Sequence, residues 1–239
     1  MAADKKYGCL YLLPVWLGDH GGVEQLPPEN VVLAQRIILF FCEHEKTARR
    51  MLRRMVPDLD LSALELHRLD KDTSDAEAAS MLALMKDGRD AAIISEAGMP
   101  GIADPGAALV RAAHVQGVRV VPLIGPSSLT LALAASGLNG QRFTFHGYLP
   151  IKPGERRAAI KRLESEAVRT GAAQLFIETP YRNDGLLADL LAACSPNTLL
   201  AIAIDLTQPG GNAQSKSIAR WKSKPPELGK RPAVFILGT

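Results

Sequence analysis

Five ionisable residues stand just beyond apolar runs of the sequence: Asp19, His20, Glu96, Asp104 and Glu178. Open α/β sheets bind ligands outside the carboxyl ends of their strands, so groups placed there are candidates for chemistry. A well-placed carboxylate or imidazole can accept a proton from a hydroxyl nucleophile, worth roughly 10²–10⁴-fold in rate. Asp19, Glu96 and Glu178 are the catalytic candidates. Each candidate also has a local use. Asp19 and His20 suit a turn or helix cap, Asp104 a brace for its own loop, and Glu178 an ion pair with Arg182. A second set is cationic. Arg49, Arg50, Arg53 and Arg54 recur at i, i+1, i+4 and i+5, with Lys46 extending the same helical side. That face is either solvated charge or a phosphate-binding surface, with Arg49, Arg53 and Arg182 as substrate contacts. Glu43, His44 and Glu45 carry metal-ligand chemistry, but adjacent helical positions point apart, and no metal site is expected.

These residues need rigid mounts. The longest is 93–106, I-I-S-E-A-G-M-P-G-I-A-D-P-G, where a buried-looking strand enters a loop with Gly98, Pro100, Gly101, Pro105 and Gly106. Glycine reaches backbone angles barred to other residues and lets a ligand come close, while proline fixes the intervening turns. Such connections usually run about 2–6 residues, so this one predicts a ligand-binding loop. Residues 9–15 predict a first strand ending in W-L-G-D-H-G-G, which is neither a dinucleotide fingerprint nor a phosphate-binding P-loop. Residues 118–124 predict a strand ending in G-P-S-S. Ser127 and Ser128 would then open a helix, offering hydroxyls and free amides to a carboxylate or ribose, or simply capping it.

Strands are also expected over 37–42, 64–69, 173–177, 199–206 and 232–238, and helices over 31–36, 43–54, 74–87, 107–116, 129–136, 152–169 and 185–193. Residues 207–217 read as a polar, mobile loop. Strands alternate with helices up to about residue 145, and F-T-F-H-G-Y-L-P at 143–150 has the composition of a crossover. The expected fold class is therefore α/β with two domains, 1–145 and 146–239.

Composition narrows the function class. The 239 residues are 47% hydrophobic and 22% charged, with mean hydropathy +0.03, as in ordinary globular chains. A net charge of +3 permits an anionic partner such as RNA without requiring one. No apolar run approaches the roughly 20 residues of a membrane span. Residues 1–6 are polar and lead straight into a strand, so no signal peptide is expected. Cys9, Cys42 and Cys194 are odd in number and far apart, which fits reduced thiols in a cytoplasmic protein.

With these motifs in place the sequence resembles the tetrapyrrole methylase family, the class III S-adenosylmethionine-dependent methyltransferases, and most closely its ribosomal RNA 2′-O-ribose branch. S-E-A-G-M-P-G-I-A-D-P-G, I-G-P-S, F-T-F-H-G-Y-L-P and E-T-P-Y-R all have counterparts there in the same order. The resemblance implies S-adenosylmethionine bound between two α/β domains, usually in a homodimer. It places the methionine and ribose against Ala97, Gly98, Met99 and Ile102, with Ser127 and Ser128 nearby and Leu17 approaching from the first loop. Thr179, Leu206, Pro232 and Ala233 would surround the adenine. This chain departs from the branch in two ways. Glu96 replaces the usual Asp, and A-I-D-L-T-Q-P-G-G-N stands where the branch carries R-E-L-T-K-x-x-E. The branch's C-terminal extension has no counterpart in this sequence. Cofactor use therefore carries over further than ribosomal RNA as substrate. A methylase of a tetrapyrrole acid and a cofactor-binding protein without turnover are the alternatives.

Overall fold

The computed structural model describes residues 6–239, so of the polar 1–6 start all but Lys6 lies outside the described residues. The chain divides into two compact units, Met1–Ser127 and Ser128–Thr239. The helix expected after Ser127 packs on strands of the second unit and belongs to it, so the division falls earlier in the chain than residue 145.

The first unit is built on five parallel strands in the order β3-β2-β4-β1-β5, namely Cys9–Leu13 (β1), Leu39–Cys42 (β2), Glu65–Arg68 (β3), Ala91–Ile94 (β4) and Arg119–Pro122 (β5). All four residues of β2 and of β4 are buried, as continuous apolar runs covered on both faces should be. One face is closed by Pro28–Arg36 (α1) and Glu45–Met55 (α2), whose Leu33, Ala48, Met51 and Leu52 join Leu13, Trp16 and Phe40. The other is closed by Asp75–Met81 (α3), with a 3₁₀ turn Leu82–Met85, and by Ala107–Val115 (α4). Ser74 and Glu77 form a capping box at the start of α3.

Strand order locates the ligand-binding end. β1 lies between β4 and β5, yet its own connection runs to β2, whereas the connection from β4 crosses over to β5. Neighbouring strands whose connections leave in opposite directions open a crevice at their carboxyl ends. Here those ends carry Leu17 and the loop 95–106.

The second unit begins with Ser128–Ser136 (α5) and holds a mixed sheet in the order β6-β7-β10-β8-β9. Its strands are Phe143–Tyr148 (β6), Ala173–Ile177 (β7), Leu199–Ile204 (β8), Asn212–Ser217 (β9) and Ala233–Gly238 (β10). The remaining helices are Pro153–Thr170 (α6), Asn183–Ala193 (α7) and Ile218–Ser223 (α8). Phe176 stacks on Phe235 with centroids 5.9 Å apart, at the centre of the core that α6 and α7 cover. Two expectations are corrected. The stretch 143–148 is an edge strand parallel to β7, and 212–217 is an ordered strand antiparallel to β8, with Ile204 opposite Asn212, rather than a mobile loop. Among the described residues no helix is long and apolar enough to cross a membrane.

Candidate functional site

In the first unit the predicted residues converge on Gly98. Its carbonyl accepts from the Val15 amide at 3.0 Å and from the Ser95 hydroxyl at 2.6 Å, tying the β4 loop to the end of β1. Gly98 has φ +70°, and a Cβ there would lie 3.1 Å from the Pro126 carbonyl oxygen and 3.2 Å from Leu17 Cδ2. Three strand-end loops, after β1, β4 and β5, therefore meet at a position only glycine fills without strain. Leu17, Gly98 and Ser127 are brought together. Leu17 is itself fixed by its amide, which donates to Gln25 Oε1 at 3.0 Å. Buried Asn30 holds the β5 loop by donating to the Ile124 carbonyl at 2.9 Å. Around this knot Ala97, Gly101 and Ile102 are exposed, and Met99 is partly so.

The acidic residues gather on the other side of the same loop. Glu43, Glu96 and Asp104 line a cavity of about 10 Å³ with Cys42 and Ser95, room for about one water. Burial, then the charges of Glu43 and Glu96, pushes the Asp104 carboxyl up to about 7. The loop brace expected of Asp104 comes instead from the Gly101 amide, which bonds the Pro105 carbonyl at 3.2 Å. Glu96 Oε1 meets His44 Nδ1 at 2.9 Å. Burial, then Glu45 and Glu96, raises the Cys42 thiol to about 11, which leaves it protonated and unreactive at neutral pH.

His44, set aside in the sequence as one of three adjacent helical residues, stands instead just before α2 and meets Glu96. Helix α2 starts at Glu45, so Glu43, in a bend, and His44, in extended backbone, precede it, and their donor atoms lie with those of Glu96 inside 4.8 Å. The adjacency rule that separates them on a helix does not apply there. The visible signal is the strand end itself, since E-H follows β2 as S-E follows β4.

Other candidates are placed without converging on Gly98. Asp19 and His20 sit on an exposed turn after β1. Three of the four arginines of α2 serve their own unit: Arg49 donates to the Leu61 carbonyl at 2.5 Å and Arg53 to the Pro57 carbonyl at 2.6 Å, while Arg50 is exposed. Arg54 donates to the Gly21 carbonyl at 2.6 Å and lies 4.6 Å over the Trp16 ring, anchoring the first loop. The phosphate-binding expectation for Arg49 and Arg53 meets guanidinium groups already engaged with backbone.

In the second unit the predicted residues share one end of the sheet. β7 ends at Ile177, opposite Val234, and β8 ends at Ile204, opposite Ala233. Thr179, Leu206 and Pro232 therefore follow or precede paired neighbours. The Asp205 amide donates to the Pro232 carbonyl at 3.0 Å, and Gly211 passes so close that a Cβ would meet the Asp205 carbonyl oxygen at 1.9 Å. Asp205 and Thr207 hold φ of +47° and +69°. A β-branched residue in that region is strained. Glu178 and Arg182 pair with each other: Glu178, whose side chain has no exposure, accepts from Arg182 Nη2 at 2.6 Å and Nε at 2.9 Å, and from the Thr179 amide. The ion pair expected as the alternative is present; all these bonds go to Oε1, and the buried Oε2 has no hydrogen-bond partner among the described residues.

This glycine-knotted crevice beside a titratable carboxyl has relatives. Residues 21–214 match the family model described as Tetrapyrrole (Corrin/Porphyrin) Methylases. The chain belongs to this family of methyltransferases. It is 33% identical over 207 residues to the ribosomal RNA small subunit methyltransferase I of Escherichia coli O157:H7, covering 87% of this chain and 68% of that one. The protein of the same name from Leptospira biflexa is 30% identical over 237 residues, 99% of this chain and 93% of that one. Among solved structures, the methyltransferase CobJ superposes with a TM-score of 0.61 at 21% identity, covering 97% of this chain and 94% of that one. A uroporphyrin-III C-methyltransferase from Thermus thermophilus complexed with S-adenosyl homocysteine gives a TM-score of 0.52 at 14% identity, covering 97% of each chain. These two likenesses establish the shared fold.

Proposed function

We propose that this chain transfers a methyl group from S-adenosylmethionine to a ribose 2′-hydroxyl of small-subunit ribosomal RNA. The observation that carries the proposal is the match to the Leptospira biflexa rRNA methyltransferase along almost the whole of both chains. The residues fit the cofactor. Gly101, at φ +76°, has nothing within 4 Å of where a Cβ would stand, and exposed Ala97 and Ile102 flank it. A loop with open space at Gly101 and exposed small or apolar side chains suits a partly apolar ligand that comes close to the backbone.

When bound, the cofactor supplies an electrophilic methyl on a sulfonium. Leu17, Ala97, Gly98, Met99, Ile102, Ser127 and Ser128 are proposed to hold it, with backbone contacts dominating. Positioning of the hydroxyl can provide most of the rate. The remaining task is to take a proton. Asp104, with its carboxyl raised to about 7, has the proton affinity of a general base near neutrality, but its cavity holds only about one water, so a proton would reach it through that water, with Glu96 lining the same cavity. We also read the working protein as a cytoplasmic homodimer.

The test is transfer of labelled methyl to purified small ribosomal subunits, to total RNA and to a tetrapyrrole panel, beside calorimetric titration of S-adenosylmethionine. Label in subunit RNA, retained in an alkali-resistant dinucleotide as a ribose 2′-O-methyl must be, is expected. Label in a tetrapyrrole alone would replace the substrate, and cofactor binding with no label anywhere would leave a protein without turnover.

A further inference from the structure

The second unit presents an aromatic ring that neither its core nor its sheet uses. Tyr181 follows β7 in E-T-P-Y-R and is 79% exposed. A single exposed aromatic is common and needs no explanation. This one is rigidly mounted. Pro180 precedes it in a one-turn 3₁₀ helix, and Arg182 after it is fixed by the buried Glu178. Buried Asn183 donates to the Arg231 carbonyl at 2.7 Å, which ties the Tyr181 turn to the segment entering β10. From that segment the Lys230 ammonium lies 5.2 Å from the centre of the Tyr181 ring.

The same segment is basic. Between 220 and 231 stand Arg220, Lys222, Lys224, Lys230 and Arg231, with Glu227 as the one acid. Arg231 is turned inward, donating to the Leu228 and Glu227 carbonyls and lying 3.8 Å from Asp205, so it stiffens the segment. Lys222, Lys224 and Lys230 are exposed. A fixed, solvent-facing ring beside the Lys230 ammonium, on a segment with further exposed lysines, matches what single-stranded nucleic acid recognises: a π-face for one base and cations for the neighbouring phosphates.

We propose that Tyr181 is a stacking platform for an unpaired RNA nucleobase, with Lys230 and the 220–231 segment taking the adjoining phosphates. This rests on the reading of RNA as the substrate, and names where an unpaired stretch of it is held. The platform contacts the base and the backbone and takes no part in the methyl transfer.

Fluorescence anisotropy of the full-length protein with a labelled single-stranded RNA 10-mer tests it without requiring turnover. Stacking of one base predicts that Tyr181→Ala binds roughly 5- to 100-fold more weakly, while Tyr181→Phe, which keeps the ring, stays within about 2-fold. Lys230→Ala should weaken binding and lower the slope of log affinity against log salt by about 0.7. An abasic 10-mer should bind wild type and Tyr181→Ala alike. Equal RNA affinity of wild type and Tyr181→Ala would overturn the platform. So would no measurable RNA binding by wild type, or a Tyr181→Ala defect seen with uroporphyrin and not with RNA. Weakened RNA binding in Tyr181→Ala together with no methyl transfer by wild type would uphold the platform and sink the proposed reaction. Transfer that proceeds with Tyr181 indifferent to RNA would do the reverse.

Discussion

The two units place their candidate residues at strand ends by opposite means. In the first, five parallel strands deliver loops to one edge, and the loops knot around a glycine whose φ of +70° is free of steric cost. In the second, an antiparallel hairpin turns back after β8, and the corner holds Asp205 and Thr207 at φ +47° and +69°, where side chains are penalised. The first site removes a side chain to let backbone meet backbone. The second keeps side chains and stores strain. The lesson is that a parallel switch point can be read from its glycines, whereas at the strained corner Gly211 marks the close approach but not the positive φ of Asp205 and Thr207.

The largest effect should come from filling the knot. Gly98→Val adds a β-branched side chain at positive φ and drives its Cβ against the Pro126 carbonyl and Leu17. Left-handed backbone costs about 1–2 kcal/mol for an L-residue, and overpacking about 1–3 kcal/mol more. We expect a loss of about 2–4 kcal/mol in urea denaturation, with S-adenosylmethionine affinity reduced at least about 30-fold by calorimetry. Unchanged stability would show that the three loops do not meet there in solution. Stability lost with affinity intact would separate the knot from the cofactor site.

How much of this was legible follows from the same contrast. The strands of the first unit announce themselves as short apolar runs, and 93–106 stands out because its glycines and prolines exceed what a connection needs. The second unit hides more. β9 reads N-A-Q-S-K-S, with no apolar alternation, because it is an edge strand largely open to water. Its pairing with β8 rests on backbone bonds, to which composition is blind. Arginines 49, 53 and 54 looked like a ligand surface because sequence gives their helical face but not the carbonyls of Leu61, Pro57 and Gly21 that they meet. His44 was hidden by a helix start misplaced by two residues. E-T-P-Y-R was visible as a motif, yet the full burial of Glu178 depends on the fold around it.

A smaller effect sharpens the description of the first site. Asp104 is raised from an ordinary carboxyl value of 3.8 to about 7, by burial first and then by Glu43 and Glu96, with His44 bonded to the latter. Between about pH 4 and 7 the folded protein keeps a proton that the unfolded chain has released. Stability therefore falls as pH rises through that window and is level on either side. Asp104→Asn removes this fall. After discounting for the partial exposure of the group, the variant should gain about 1–2 kcal/mol over wild type at pH 8 and nothing at pH 3, by denaturant titration at several pH values. A parallel pH dependence in both proteins would mean that the carboxyl is solvated and ordinary. If methyl transfer also loses its dependence on a group near neutrality, the same carboxyl is the base.

The smallest effect is the mirror of the first. Thr207→Gly removes a Cβ from φ +69°, the conformation for which Gly98 already has none. Relief of left-handed strain at a β-branched residue is worth about 1–2 kcal/mol, and the extra freedom glycine gives the unfolded chain takes back about 0.5–1 kcal/mol. A net gain of about 0.5–1 kcal/mol in thermal or urea unfolding is expected, opposite in sign to Gly98→Val. The Asp205 amide bond to the Pro232 carbonyl does not involve this side chain, so the hairpin register should persist. A loss of stability in Thr207→Gly would mean that contacts of the threonine side chain, such as the bond its hydroxyl accepts from Gln208 Nε2 at 3.4 Å, outweigh the strain. A gain in stability with methyl transfer reduced would identify the strain as something the strand end keeps for binding, because the corner would then relax away from the pose that the penalty enforces.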